Sequence, residues 1–241
     1  MLMLYQFPIS HYCEKVRWAL EYKNIEYKKV NLLPGLHAKK AKKLCSSTSL
    51  PILVHDKNAL NESSEIISYL DHIFPYKTLT PTDPQLKQEA LQWEQFADTQ
   101  LGPDVRRICY HTLLDHPDII TPYFTNDGPW YGNLYMKVTY PRLSETMRNL
   151  MKLDDAEMVT IRKRLTRSIQ ITIAHINDRD FFVGDTFSRA DLAVASLLAP
   201  LCRTKKYGIE WPEKYPEPLA STISEYKDKL DWVHHIYKQF R

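Results

Sequence analysis

The chain has 241 residues, 44% of them apolar and 25% charged, with a formal net charge of +3. These values exclude disordered and collagen-like polymers, leave room for one large domain or two modest ones, and do not point to a nucleic-acid binder. No apolar run reaches the ~20 residues a membrane span needs, the start has no secretory pattern, and four cysteines without a CxxC pair suit a reducing cytosol rather than a disulfide or zinc framework.

Residues 2–7, LMLYQF, read as a short buried strand ended by Pro8. Ser10 then stands as the N-cap of a helix running to about Tyr22, with Asn24 able to close its end. EYKKVN is a second strand, and Pro34-Gly35 breaks the chain. The lysine-rich piece from His37 to Leu44 is a short helix whose Lys39, Lys40, Lys42 and Lys43 form a solvated face. PILVHD and NAL give two more strands around the turn Asp56-Lys57-Asn58. ESSEIISYLDHIF is a helix with Ile66, Ile67, Leu70 and Ile73 on one stripe.

This β-α-β-α-β-β-α order fills residues 1–75. Residues 76–84, rich in proline and without apolar periodicity, read as a linker. From 85 to 241 the pattern is helical, over roughly 85–115, 133–152, 155–178, 188–201 and 219–238. Pro103 should kink or interrupt the first of these, and 116–132 reads as a long irregular stretch. The expected fold is a small α/β domain followed by an all-α one.

Three features of the first domain carry chemistry. Ser10 heads a helix, where unpaired N–H groups and a partial positive charge favour an anion such as a thiolate. Leu50-Pro51 opens a strand after a polar loop and is a candidate cis peptide whose backbone would pair with an extended ligand. Glu62-Ser63 opens a helix and suits an α-amino acid head, Glu62 for the ammonium and Ser63 for the carboxylate. Each of these is also compatible with an ordinary helix cap or turn.

Together, LYQFPISHYC, SLPIL and ESSEIISYL resemble the thioredoxin-like half of the cytosolic glutathione transferases. FFVGDTFSRADLAVASLL resembles the motif of their helical half, with Ser188 and Asp191 as a capping box. The resemblance covers about residues 2–201 and includes serine-type, theta-like features. It implies the glutathione transferase fold, a thioredoxin-like N-terminal domain plus an all-α C-terminal domain. Glutathione is the implied co-substrate, with no metal, and its thiolate would be conjugated to a small hydrophobic electrophile. Ser10 is then the catalytic hydroxyl, and His37, Leu50, Pro51, Glu62 and Ser63 bind glutathione, with Lys40 or Lys43 beside its glycine carboxylate. Arg106, Tyr110 and Trp130 are candidates for the electrophile site. The resemblance further implies a cytoplasmic homodimer without membrane or nucleic-acid partners. SHYC stands where cysteine-type members and glutaredoxins carry CPYC or CPFC, so Cys13 reads as a packed helix residue. A thiol reductase acting through Cys13 and a non-catalytic ligand carrier remain the alternatives.

Overall fold

A computed structural model of the chain describes residues 1–241. Alternation along β1 (Leu2–Gln6) sorts its side chains onto two faces of a sheet. Leu2 and Leu4 join Leu53 in the large core, with Val16 of α1 (His11–Tyr22) and Ile66 of α3 (Ser63–Ile73). Tyr5 joins Ile52 and Val54 on the opposite face, against Ala41 of α2 (His37–Leu44). The strand order is β2-β1-β3-β4. β2 (Tyr27–Asn31) runs parallel to β1, while β3 (Ile52–His55) is antiparallel to both β1 and β4 (Asn58–Leu60). β2 is thus an edge strand, with Lys28 and Lys29 exposed. The Leu50–Pro51 bond ahead of β3 is cis.

Amphipathic patterning would leave Glu14, Lys15 and Arg17 of α1 outside; instead all three are buried. Burying charge is costly unless every group is paired, and here each is. Arg17 reaches Glu14 at 2.8 Å, Gln6 Oε1 at 2.7 Å and the Pro8 carbonyl at 3.1 Å. Arg241, from the other end of the chain, meets Glu14 at 2.8 Å. Lys15 sits 2.9 Å from Glu94 and 2.8 Å from Asp98, both on the helical rod that begins at Pro84. Glu94 also takes Arg189 at 2.6 Å.

That rod is α4 (Pro84–Phe96), a π turn (Ala97–Leu101) and α5 (Gly102–Leu113) in succession. The break expected at Pro103 is a widening just before it: proline offers no amide hydrogen to the ladder, and the turn relaxes to i→i+5 pairing. Residues 116–132 are not irregular throughout, because Pro117–Thr125 form α6. Pro117 occupies the first turn, where its missing N–H costs nothing, and Ile120, Tyr123 and Phe124 bury one face. The interior Pro122 is what hides this helix from a pattern reading. α7 (Gly132–Met151) and α8 (Asp155–Ile176) follow. The helix expected over 219–238 is two, α10 (Leu219–Tyr226) and α11 (Asp231–Phe240).

α9 (Arg189–Cys202) is the central post, buried almost along its whole length. Its start carries the expected capping box: Asp191 accepts from the Ser188 N–H at 2.9 Å, the Ser188 hydroxyl at 2.8 Å and the Phe182 N–H at 2.7 Å. No helix is long and apolar enough to cross a membrane.

Candidate active site

Ser10 caps α1, its Oγ accepting the Cys13 N–H at 3.3 Å. The amides of the first turn that have no intrahelical partner make this end of α1 electropositive. Ser10 borders a cavity of about 480 Å3 with mostly apolar walls. Phe7, Tyr110, Phe124 and Leu143 supply much of that wall. Tyr110 stacks on Phe124 at 6.2 Å, and Phe7 meets Phe124 edge-on at 6.3 Å.

A second cavity, of about 740 Å3, lies beside the first and is polar. Pro51, Glu62, Ser63, Asp98 and Thr99 border it. Glu62 precedes α3 without making a side-chain cap, so the amides at the start of that helix face no internal carboxylate or hydroxyl. Burial and the nearby Glu65 and Asp98 charges raise the Glu62 carboxyl above its usual range. The two cavities meet at Tyr12, Ser49, Leu50 and Arg106, which border both.

The sequence-derived candidates distribute over this double cavity. Ser10, His37, Leu50, Arg106 and Tyr110 line the apolar part; Leu50, Pro51, Glu62, Ser63 and Arg106 line the polar part. His37 meets the Phe7 ring at 4.8 Å, its Nδ1 buried without a partner, and burial lowers its pKa. Trp130 does not join them: its side chain is 93% exposed and lines neither cavity. Gly132, packed near Leu33, brings the start of α7 against the sheet domain, and Trp130 lies just outside, edge-on to Tyr131. Lys40 lies over the Tyr5 ring at 5.3 Å and Lys43 is exposed; neither borders either of these two cavities.

Cys13 is fully buried, and burial pushes its thiol pKa up against the opposing Arg17 charge. A thiol of that kind is neither accessible nor ionised, so it is inert toward exchange.

Tyr12 is the residue that sequence reading missed. Its hydroxyl donates to the Asp98 carbonyl at 2.7 Å, a group within the π turn. A Cβ at Gly102 would come within 2.5 Å of the Tyr12 Oη and 2.9 Å of its Cζ. Gly102→Ala is therefore expected to dislodge Tyr12 and to cost about 1–3 kcal/mol of stability by overpacking. Thermal unfolding of the variant beside Tyr12→Phe checks this. The C-terminal wall residues Trp211 and Tyr215 were also missed, for they lie in a segment without periodicity.

His11 lines the apolar cavity with its Nε2 buried and unpaired. Burial, and then the Arg106 charge, bring its pKa from 6.5 down to about 3. Unfolded chain binds this proton below pH 6.5 and the native state does not, so stability is fully present above 6.5 and lost as pH falls toward 3. The full loss is on the order of 5 kcal/mol. In urea titrations at stepped pH, His11→Phe should show a shallower acid loss than wild type; equal slopes would contradict the assignment.

Sequence comparison assigns residues 4–81 to the glutathione S-transferase N-terminal domain and 134–218 to the glutathione S-transferase C-terminal domain, together more than half of the chain. The chain belongs to the cytosolic glutathione S-transferase superfamily. Glutathione S-transferase 1 of Dianthus caryophyllus is 36% identical over 96 residues, covering 39% of this chain and 42% of that protein. The chain aligns with about a quarter to a half of the length of the curated relatives it matches. Among solved structures, the β-etherase LigF from Sphingobium sp. strain SYK-6 superposes with a TM-score of 0.66 at 18% identity, covering 99% of both chains. A glutathione S-transferase from Methylobacterium radiotolerans, complexed with glutathione sulfonate, gives a TM-score of 0.60 at 19% identity, with 95% of this chain and 90% of that one covered. These structural likenesses establish the glutathione transferase fold.

Proposed function

We propose that this superfamily member is a glutathione transferase that conjugates the tripeptide thiolate to a hydrophobic electrophile. The supporting observation is the meeting of a polar and an apolar cavity at Leu50, with the Ser10 hydroxyl on the apolar side. In this reading the γ-glutamyl head lies in the polar cavity. Its ammonium faces Glu62, and its carboxylate faces the uncapped amides of α3 and the Ser63 hydroxyl. The cysteinyl backbone pairs with that of Leu50, beside Pro51, and the glycine end lies toward His37. Ser10 donates a hydrogen bond to the sulfur. The electropositive head of α1 lowers the thiol pKa from its free value near ~8.5. Tyr110 and the aromatic walls receive the acceptor, so that proximity and exclusion of water do most of the catalytic work.

Residues 1–75 act as the glutathione-binding domain, 76–84 as linker and 85–241 as the helical domain completing the acceptor site. The enzyme works as a cytoplasmic homodimer, with no metal and no nucleic-acid or membrane partner. The buried Cys13 disfavours a thiol reductase. A glutathione-dependent panel of halonitroarenes, peroxides and mixed disulfides tests the proposal on wild type, Ser10→Ala and Cys13→Ser. Conjugation that depends on Ser10 and survives Cys13→Ser is expected. Disulfide reduction lost with Cys13→Ser would assign a reductase, and binding without turnover would assign a carrier.

A further inference from the structure

Arg106 is the one formally charged side chain on the wall of the apolar cavity. The other basic groups on that wall, His11 and His37, both have lowered pKa values, His11 to about 3. Arg106, exposed to solvent where it borders both cavities, makes no ion pair or hydrogen bond within the protein, whereas the buried cations nearby are engaged. Lys15 is held by Glu94 and Asp98, and Arg189 by Glu94 and the Ser64 carbonyl. The carboxylates of the polar cavity thus leave Arg106 unclaimed, although it borders that cavity too. It stands on α5 one turn before Tyr110, so cation and aromatic plate sit on the same helical face.

An unneutralised guanidinium at the rim of an aromatic cavity is a poor wall for a wholly apolar ligand. It is a good partner for one planar anionic oxygen group, which it can grip through two parallel N–H donors. From this juxtaposition we infer that the acceptor is amphipathic. Its flat apolar body lies against Tyr110 and Phe124, and it carries a carboxylate or sulfonate that Arg106 binds where the two cavities meet. The inference rests on the transferase reading for the word acceptor, but the binding preference itself does not depend on turnover. Arg106 is then a specificity-determining residue, and the residue that places the reacting carbon near the Ser10 end of the cavity.

Two matched ligand pairs test it. In fluorescence titration, anilinonaphthalene sulfonate and the neutral N-phenyl-1-naphthylamine are compared on wild type, Arg106→Gln, Arg106→Lys and the control Arg142→Gln, an arginine that is also exposed but borders neither cavity. The anionic-to-neutral affinity ratio should fall about 10-fold in Arg106→Gln, fall less in Arg106→Lys and hold in Arg142→Gln. In kinetics, 4-chloro-3-nitrobenzoate and 4-chloro-3-nitrobenzamide are compared as kcat/KM divided by the uncatalysed rate with glutathione. The same loss of ratio is expected there, carried mainly by KM. An unchanged binding ratio in Arg106→Gln, or an equal fall in Arg142→Gln, overturns the inference even if conjugation proceeds. A shifted binding ratio with no conjugation of any acceptor supports the anion site and overturns the transferase reading instead.

Discussion

Replacing Ser10 by alanine is expected to slow glutathione conjugation roughly 10–150-fold while leaving glutathione affinity almost unchanged. The size follows from one hydrogen bond to a charged sulfur, about 1.5–3 kcal/mol, which also raises the bound thiol pKa by about 1–2 units. In the proposed binding mode affinity is spared, because the γ-glutamyl head would be held around Glu62 and Ser63 and the cysteinyl backbone at Leu50, away from the Ser10 hydroxyl. The measurements are kcat, KM for glutathione, and thiolate absorbance of the bound tripeptide against pH. Alanine also removes the 3.3 Å cap to the Cys13 amide, worth about 1 kcal/mol of stability. Ser10→Thr, which keeps both cap and donor, separates these effects: it should restore the melting temperature and most of the rate. A Ser10→Ala enzyme with wild-type kcat would remove the hydroxyl from the mechanism.

Glu94→Ala is expected to produce the largest loss of stability, about 3–5 kcal/mol, because it takes from buried Arg189 its only carboxylate partner and leaves buried Lys15 with Asp98 alone. Lys15 is fully buried and Arg189 nearly so, with Glu94 between them at 2.9 and 2.6 Å. For a chain of this size such a loss lowers the melting midpoint by about 10 °C. Glu94→Gln keeps the shape but not the charge and should recover only part of it. Adding Lys15→Met to Glu94→Ala should be less than additive, since the Lys15–Glu94 contact is lost only once. A Glu94→Ala midpoint close to wild type would show that the surrounding carbonyls and Asp98 satisfy the cations unaided.

Much of this architecture is written locally. β1, the Ser10 cap, α2, the cis Leu50–Pro51 bond, the α3 stripe (buried at Ile66, Ile67 and Leu70, with Ile73 exposed) and the Ser188–Asp191 box depend on neighbours a few residues away, and their residue types announce them. The misreadings fall where distant partners decide. α6 carries an interior proline that interrupts its periodicity, yet burial of Phe124 and Tyr123 keeps it helical. The π turn has no signature beyond Pro103, and its consequence, a carbonyl offered to Tyr12, spans 86 positions in sequence. The charges on α1 find their partners only once the rod carrying Glu94 and Asp98 is docked beside them. The candidate site divides the same way. Ser10, Leu50, Pro51, Glu62 and Ser63 mark themselves by standing at element starts. Tyr12, Trp211 and Tyr215 border the cavities only through the tertiary fold, and Trp130, aromatic and near the right helices, faces water.

The lysines of β2 bear on how these molecules behave in a crowd. A bare strand flank exposes amide and carbonyl groups to which a stray polypeptide can zip, starting an aggregate. Any newcomer along this flank would first have to dehydrate the exposed Lys28 and Lys29 ammonium groups, a repellent step that favours dispersal over stacking.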